Sequence, residues 1–184
     1  MMNREAKANF SLQFISHTNG NTTYLDGIRM ALEGGCRWIQ LRMKGAADSE
    51  VEPIAVGAQK MCREAGAPFV MVGHIKTPAA SGDDLPATLS PTAIDGWLRG
   101  ELGFAGVVVS DSFAMGAIAD YYDQTDAAVR FLQAGGDLIL MTPTPEETYQ
   151  GILAAVGDGT LTESRIDESV LRILAAKDAL GLLA

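Results

Sequence analysis

Gly103-Phe104-Ala105-Gly106-Val107-Val108-Val109-Ser110-Asp111-Ser112 is the stretch from which the fold is read. Three consecutive valines between a glycine pair and a polar turn are too short a run for a helix, and being β-branched they predict a strand over 107–109. The run is continuous rather than alternating. That is the pattern of a strand covered on both faces, as in parallel sheets flanked by helices. Such a strand delivers Ser110, Asp111 and Ser112 to its carboxyl end, where parallel α/β proteins meet their ligands.

Outward from this stretch, similar apolar runs recur at 12–15, 38–43, 69–75 and 138–141, none with an internal proline. Helical patterns with legible ends lie between them. Segment 23–33 is followed by Gly34 and Gly35, and segment 49–65 by Gly66. Segment 91–102 follows Ser90 as N-cap, has proline in its first position and stops at Gly103; segment 125–134 stops at Gly135 and Gly136. Helices over 145–156 and 163–180 complete the set, the last capped by Thr162 and carrying Ile166, Val170, Ile173, Leu174 and Ala176 on one stripe. The fold class is therefore α/β, with five βα units of parallel sheet and a terminal helix. A closed eight-unit barrel takes about 250 residues and seldom fewer than about 200. The 184 residues here predict a partial TIM barrel or a flattened, flavodoxin-like doubly wound sheet. Either leaves sheet edges to protect, and association with an identical copy is a low-cost remedy, so a homo-oligomer, in the first place a dimer, is expected.

Composition excludes several classes. No stretch reaches the roughly 18 uninterrupted apolar residues of a membrane span. The opening Met-Met-Asn-Arg-Glu-Ala-Lys is charged and is not followed by an apolar signal core, so the expectation is a cytoplasmic protein. Cys36 and Cys62 lack the clustered spacing of a zinc site and are too few for a disulfide scaffold, which leaves them as small apolar residues, with no metal expected. The net charge of -9 argues against nucleic-acid binding, which rests on a basic surface. The charge is unevenly spread: residues 1–67 sum to +1 and residues 68–184 to -10. A break near Pro68 signals two faces, two domains or two ancestries joined together.

Residues just after each apolar run form the candidate rim: His17, Arg42, Lys44, His74 and Asp111. A carboxylate at Asp111 suits a nucleophile, base or cation ligand, or caps the next turn. Gln40, Arg42 and Lys44 alternate, so in a strand they share one face; the two cations suit a phosphate or carboxylate, or an ion-pair layer inside a barrel. His74 reads as a sugar-hydroxyl ligand, a proton shuttle or a hydrogen-bonded structural histidine. No glycine-rich phosphate loop, HExxH motif or Gly-x-Ser-x-Gly elbow occurs, and no cofactor is expected. The segment 76–89, with Pro78, Gly82, Asp83, Asp84 and Pro86, reads as a lid, a specificity loop or a plain surface excursion.

Two resemblances meet near Pro68. The runs Leu-Gln-Phe-Ile-Ser-His from Leu12 and Tyr-Leu-Asp-Gly-Ile-Arg-Met-Ala-Leu-Glu-Gly-Gly-Cys-Arg-Trp-Ile-Gln-Leu-Arg-Met-Lys from Tyr24 resemble the first two units of thiamine phosphate synthase, a (β/α) barrel enzyme. From Phe69 on, Val-Met-Val-Gly-His-Ile, Leu-Pro-Ala-Thr-Leu-Ser-Pro, Leu-Arg-Gly-Glu-Leu-Gly-Phe-Ala-Gly-Val-Val-Val-Ser-Asp-Ser-Phe-Ala-Met-Gly-Ala-Ile and Ala-Gly-Gly-Asp-Leu-Ile-Leu-Met resemble the last three units of the glycoside hydrolase family 3 barrel domain. The first resemblance implies that Gln40, Arg42 and Lys44 match the strand holding a pyrophosphate, while that family's later magnesium and phosphate residues have no counterpart. The second implies that Asp111 matches the nucleophile of a retaining glycosidase and His74 a polar position of the sugar pocket. The Lys-His-Phe-Pro-Gly-His-Gly segment of the hexosaminidase branch, which precedes the loop bearing the general acid, has no match. Together the resemblances imply a chimera of two barrel fragments, engineered or recombined, that folds without efficient catalysis and binds a sugar or phosphate weakly at most. The alternatives are a retaining β-N-acetylhexosaminidase or β-glucosidase with Asp111 as nucleophile, and a phosphate or pyrophosphate binder.

Overall fold

The computed structural model describes residues 9–43, 45–66, 69–179 and 182–183. The chain divides into two compact units, Met1–Pro68 and Phe69–Ala184. All strand pairs are parallel, in a two-stranded sheet β1-β2 and a three-stranded sheet β3-β4-β5, and helices alternate with the strands. The class is α/β, and the described strands close no barrel.

In the first unit, β1 (Asn9–Ile15) leads through α1 (Tyr24–Glu33) to β2 (Cys36–Gln40) and α2 (Asp48–Glu64). Helix α1 starts one residue inside the expected segment 23–33, with Thr23 as its N-cap. The Thr23 hydroxyl accepts from the Asp26 N–H at 3.1 Å, and the Asp26 carboxylate accepts from the Thr23 N–H at 3.2 Å. This reciprocal box satisfies two donors that a helix start leaves free. Ile28, Leu32 and Ala58 form a small core, packed by Phe14, Leu25, Ile39, Leu41 and Met61. Cys62 lies against the same core, and burial pushes its thiol up, with Cys36 nearby adding to the shift; both cysteines are half-buried rather than sealed.

One expectation changes here. The run 38–43 is a strand only to Gln40, so Gln40 and Arg42 do not alternate along one strand, and Lys44 lies outside the described residues. The reason is local: the Ser16 N–H closes the ladder on Gln40 O at 2.9 Å, and the Ser16 hydroxyl, not a strand carbonyl, accepts the Arg42 N–H at 2.9 Å.

The second unit runs β3 (Phe69–Val72), α3 (Pro78–Ser81), a 3₁₀ turn (Ala87–Leu89), a π-helix (Thr92–Glu101), β4 (Val107–Ser112), α4 (Gly116–Ala119), α5 (Gln124–Gln133), β5 (Leu138–Leu140), α6 (Pro145–Gly157) and α7 (Glu163–Ala179). Ser90 caps as expected, its hydroxyl accepting from the Ala93 N–H at 3.2 Å. The helix that follows is wider than an α-helix, the Leu102 N–H reaching Trp97 O. Segment 76–89 is folded rather than loose: Asp83 accepts from Ser90 Oγ, the Leu85 N–H and Ser81 Oγ, and those hydrogen bonds, Ser90's first, hold its carboxyl below the usual range.

The core of this unit contains Leu89, Ile94, Val108, Phe113, Ile118, Phe131 and Leu161, all but sealed from solvent. Val107 and Val108 are both fully buried, as the continuous run requires. Further along, the face opposite the core opens: Val109 is half-buried, and its register neighbours Met71 and Leu138 are 40% and 37% exposed. Cover on both faces is thus met at the start of the sheet and not beyond it. At the amino end of β5, Asp137 has no exposed side-chain surface and gathers three arginines: Arg99 at 2.6 Å, Arg172 at 2.9 Å and Arg165 at 3.4 Å.

Candidate functional site

Asp111 stands at the carboxyl end of β4, where the ladder is irregular. Val109 pairs with Leu138 but Ser112 with Leu140, so β4 carries one more residue than β5 between those pairs, the signature of a bulge. A bulge breaks the hydrogen-bond ladder and turns its side chains. The break is repaired by Ser110, fully buried, whose hydroxyl accepts the Leu140 N–H at 2.9 Å. Beyond it the ladder resumes with the Phe113 N–H on Leu140 O at 3.0 Å. Asp111 is left half-buried on the rim, its Oδ1 accepting from the Ser112 N–H at 2.8 Å. Among the described residues no donor reaches Oδ2.

His74, just past β3, is fixed at both ring nitrogens. Nδ1 lies 2.6 Å from Thr88 Oγ1 and Nε2 lies 2.9 Å from Ser112 O. Thr88 is itself sealed and donates to Gly73 O at 3.0 Å. The structure therefore ties His74 to the residue after Asp111 and occupies the two atoms with which it would grip a sugar hydroxyl. Beyond β5, Met141 adopts a positive φ of 50°, an uncommon setting for a side-chain-bearing residue, and is 66% exposed on the rim. Thr142 next to it joins Thr148 at 2.9 Å and Gln124 at 3.4 Å.

The first unit has its own candidate. At the carboxyl ends of β1 and β2, Ile15, Ser16, His17, Thr18, Tyr24 and Arg42 line an open cavity of about 450 Å³. His17 and Arg42 of the predicted rim meet there; Gln40 ends β2 as an exposed residue outside the lining. The Arg42 side chain is exposed, with its backbone anchored on Ser16. No group of three or more His, Cys, Asp or Glu that suits a metal ion occurs among the described residues. No described helix is long and apolar enough to cross a membrane.

Thr88, Gln124 and Thr148 entered neither site from the sequence. Each acts through partners distant along the chain, and a lone Thr or Gln in a polar loop carries no spacing signal. Asp137 and its arginines were missed for the same reason, and they lie at the amino end of the strands, where a barrel-type fold keeps stability rather than chemistry.

Residues 52–176 match the model of the glycosyl hydrolase family 3 N-terminal domain, more than half of the chain. The chain belongs to this family. Residues 12–84 also match thiamine monophosphate synthase, so the two matches overlap across the seam near Pro68. Among relatives, the β-N-acetylglucosaminidase/β-glucosidase of Cellulomonas fimi is 40% identical over 127 residues, 64% of this chain and 22% of that protein. The thiamine-phosphate synthase of Phocaeicola vulgatus is 40% identical over 131 residues, 70% of this chain and 57% of that protein. A family 3 β-N-acetylglucosaminidase from a Paenibacillus species superposes with a TM-score of 0.70 at 38% identity, covering 76% of this chain and 27% of that one. This family 3 chain thus carries segments similar to two enzyme families and spans little more than a fifth to about three fifths of these curated relatives.

Proposed function

We propose that the chain is a recombinant of two barrel fragments, a folded scaffold whose second unit keeps the nucleophile position of a retaining β-glycosidase at Asp111 while hydrolysing ordinary glycosides inefficiently. The observation that carries this reading is the bulged end of β4, which presents one carboxylate on an open rim with one oxygen that no donor reaches among the described residues. A retaining mechanism sets a second carboxyl group about 5–5.5 Å from the nucleophile to protonate the leaving group. Two further carboxylates of the second unit, on the loop after β3, are already engaged: Asp83 by Ser90, Leu85 and Ser81, and Asp84 by Lys76 at 3.4 Å. Loss of general-acid catalysis slows such a step by about two to four orders of magnitude.

The leaving group provides the test. Dinitrophenyl β-N-acetylglucosaminide or β-glucoside departs without protonation, whereas the alkyl glycoside needs an acid. The expected outcome is slow release from the former, none from the latter, and loss of release in Asp111→Asn. Efficient cleavage of alkyl glycosides overturns the scaffold reading, and release that survives Asp111→Asn overturns the assignment of the nucleophile.

A second reading, anion binding in the first unit, is supported by the cavity lined by Ser16, His17, Tyr24 and Arg42. Cation and hydroxyl donors around an open site suit a phosphate or pyrophosphate. Pyrophosphate is expected to raise the melting temperature of the wild type and not of Arg42→Ala; no shift at millimolar ligand refutes it.

A further inference from the structure

We infer that His74 is a positioning residue for the Asp111 carboxylate, acting through Ser112 without touching the glycoside. This inference rests on the reading of Asp111 as nucleophile. Ser112 is held at both ends of its backbone: its N–H donates to Asp111 Oδ1 at 2.8 Å, and its carbonyl receives His74 Nε2 at 2.9 Å. The two bonds lie on either side of one Cα, so together they set the backbone rotation at Ser112 and with it the direction from which the N–H meets the carboxylate. The neighbour on the other side is tied as well, since Ser110 holds the Leu140 N–H. A bulge at the end of a strand has a weakened ladder, and these two side chains replace what the ladder lost.

One of these contacts also fixes a hydrogen on the ring. Ser112 O is a carbonyl and only accepts, so Nε2 carries a hydrogen. Nδ1 faces a hydroxyl, Thr88 Oγ1, that also lies 3.0 Å from Gly73 O. Thr88 anchors the far side of the imidazole and spans β3's end and the 3₁₀ turn, so the ring cannot swing without breaking a buried contact. The Phe113 ring, its centroid 6.0 Å from that of His74, packs against the same side chain. His74 thus joins the ends of β3 and β4 at the one point where the nucleophile's orientation is set.

Glutamine and asparagine separate this role from packing. The Gln amide nitrogen reproduces the reach of Nε2 and retains the donor to Ser112 O. The shorter Asn reaches no farther than Nδ1 and loses it. Trapping with an activated 2-deoxy-2-fluoro β-glucoside, read as a covalent mass increase, follows the bond formed between the Asp111 oxygen and the anomeric carbon as the leaving group departs with its electron pair. In His74→Asn the trapping rate constant is expected to fall about ten- to a hundredfold, the scale that misplaced reacting groups produce, and in His74→Gln to stay within about threefold of wild type, with ligand affinity unchanged in both. Hydrogen exchange at the Ser112 amide is expected to accelerate in Asn and not in Gln. Equal trapping and equal exchange in wild type and His74→Asn overturn the inference while leaving the nucleophile in place. If wild type is not trapped, the nucleophile reading fails, and exchange alone then judges the clamp: faster in Asn only supports it, and unchanged in Asn overturns it.

Discussion

Asp137→Ala tests what holds the second unit together. The carboxylate accepts from Arg99 at 2.6 Å, Ser169 Oγ at 2.7 Å, Arg172 and the Val108 N–H at 2.9 Å, and Arg165 at 3.4 Å. Removing one partner of a buried charge pair costs about 3–5 kcal/mol. The stranded Val108 N–H, in a residue with no exposed surface, adds about 1–3 kcal/mol if nothing replaces its acceptor. Against this, Arg99 keeps Gly135 O, Phe104 O and Gly106 O, and Arg165 keeps Leu132 O and Gly136 O, so neither guanidinium is abandoned. The expected loss is therefore about 3–5 kcal/mol, a large part of the roughly 5–15 kcal/mol by which domains are stable. Urea unfolding followed by circular dichroism and by Trp97 emission measures it, with Asp137→Asn, which keeps one acceptor oxygen, falling between. The same group links stability to pH. Burial alone raises its pKa, but the Val108 N–H, Ser169, Arg99 and Arg172 outweigh burial and hold the carboxyl below its ordinary value. A depressed value in the folded state makes its contribution complete above about pH 4, the unfolded carboxylate range, and lost as pH falls through the folded value. Wild type and Asp137→Ala should converge as the medium is acidified below that point. A difference under about 1 kcal/mol at neutral pH, or one that widens in acid, refutes the reasoning.

Other perturbations test smaller parts. Ser110→Ala takes away the acceptor of the Leu140 N–H and should cost about 1–3 kcal/mol, with faster exchange at that amide. Gly151→Ala places a methyl group on the Thr125 side chain where α6 crosses α5, and overpacking of that kind lowers stability by about 1–3 kcal/mol, which the double variant with Thr125→Ala should largely restore. Met71 and Leu138 leave an apolar face open, and association with a second copy is expected to cover it; sedimentation that shows a monomer at every concentration removes that expectation.

How much of this was legible depends on how far apart the partners lie. The strand at 107–109 was readable because three β-branched residues between Gly106 and a polar turn carry their own signal, and α1 because its segment ends at Gly34 and Gly35. The π-helix was half legible: Ser90, Pro91 and Gly103 mark its ends, while nothing in its composition announces the wider hydrogen bonding between Trp97 and Leu102. The bulge was invisible, since Ser110 repairs a ladder to a residue thirty positions on. Asp111 drew attention because a carboxylate after a buried strand is a local pattern. The hydrogen bonds of His74 were not legible, because they reach Thr88 and Ser112 across 14 and 38 positions. Arg42 drew attention as one of an alternating set, and the pairing of Ser16 with both Gln40 and Arg42 ended the strand before that alternation began.

The division of labour inside the second unit explains how a chain of two resemblances retains a fold. The amino ends of its strands concentrate satisfied, largely buried interactions: one carboxylate, three guanidiniums and the Val108 backbone, all drawn from residues 69–184. The core around Phe113 and Phe131 draws on the same residues, while Ile28, Leu32 and Ala58 close a separate core within residues 1–68. Each unit thus buries its own apolar surface, and the break in charge near Pro68 falls between two self-contained cores rather than through one. The carboxyl ends are built differently, with a bulge, a positive φ at Met141 and a carboxylate with one oxygen that no donor reaches among the described residues. Strain and unsatisfied groups of this kind persist only where the rest of the fold overdetermines them. On the recombinant reading proposed above, keeping each core whole preserves the scaffold, whereas catalysis needs groups from both sides of a pocket at fixed separation. On that reading the distance-sensitive half of the chemistry is the part lost first.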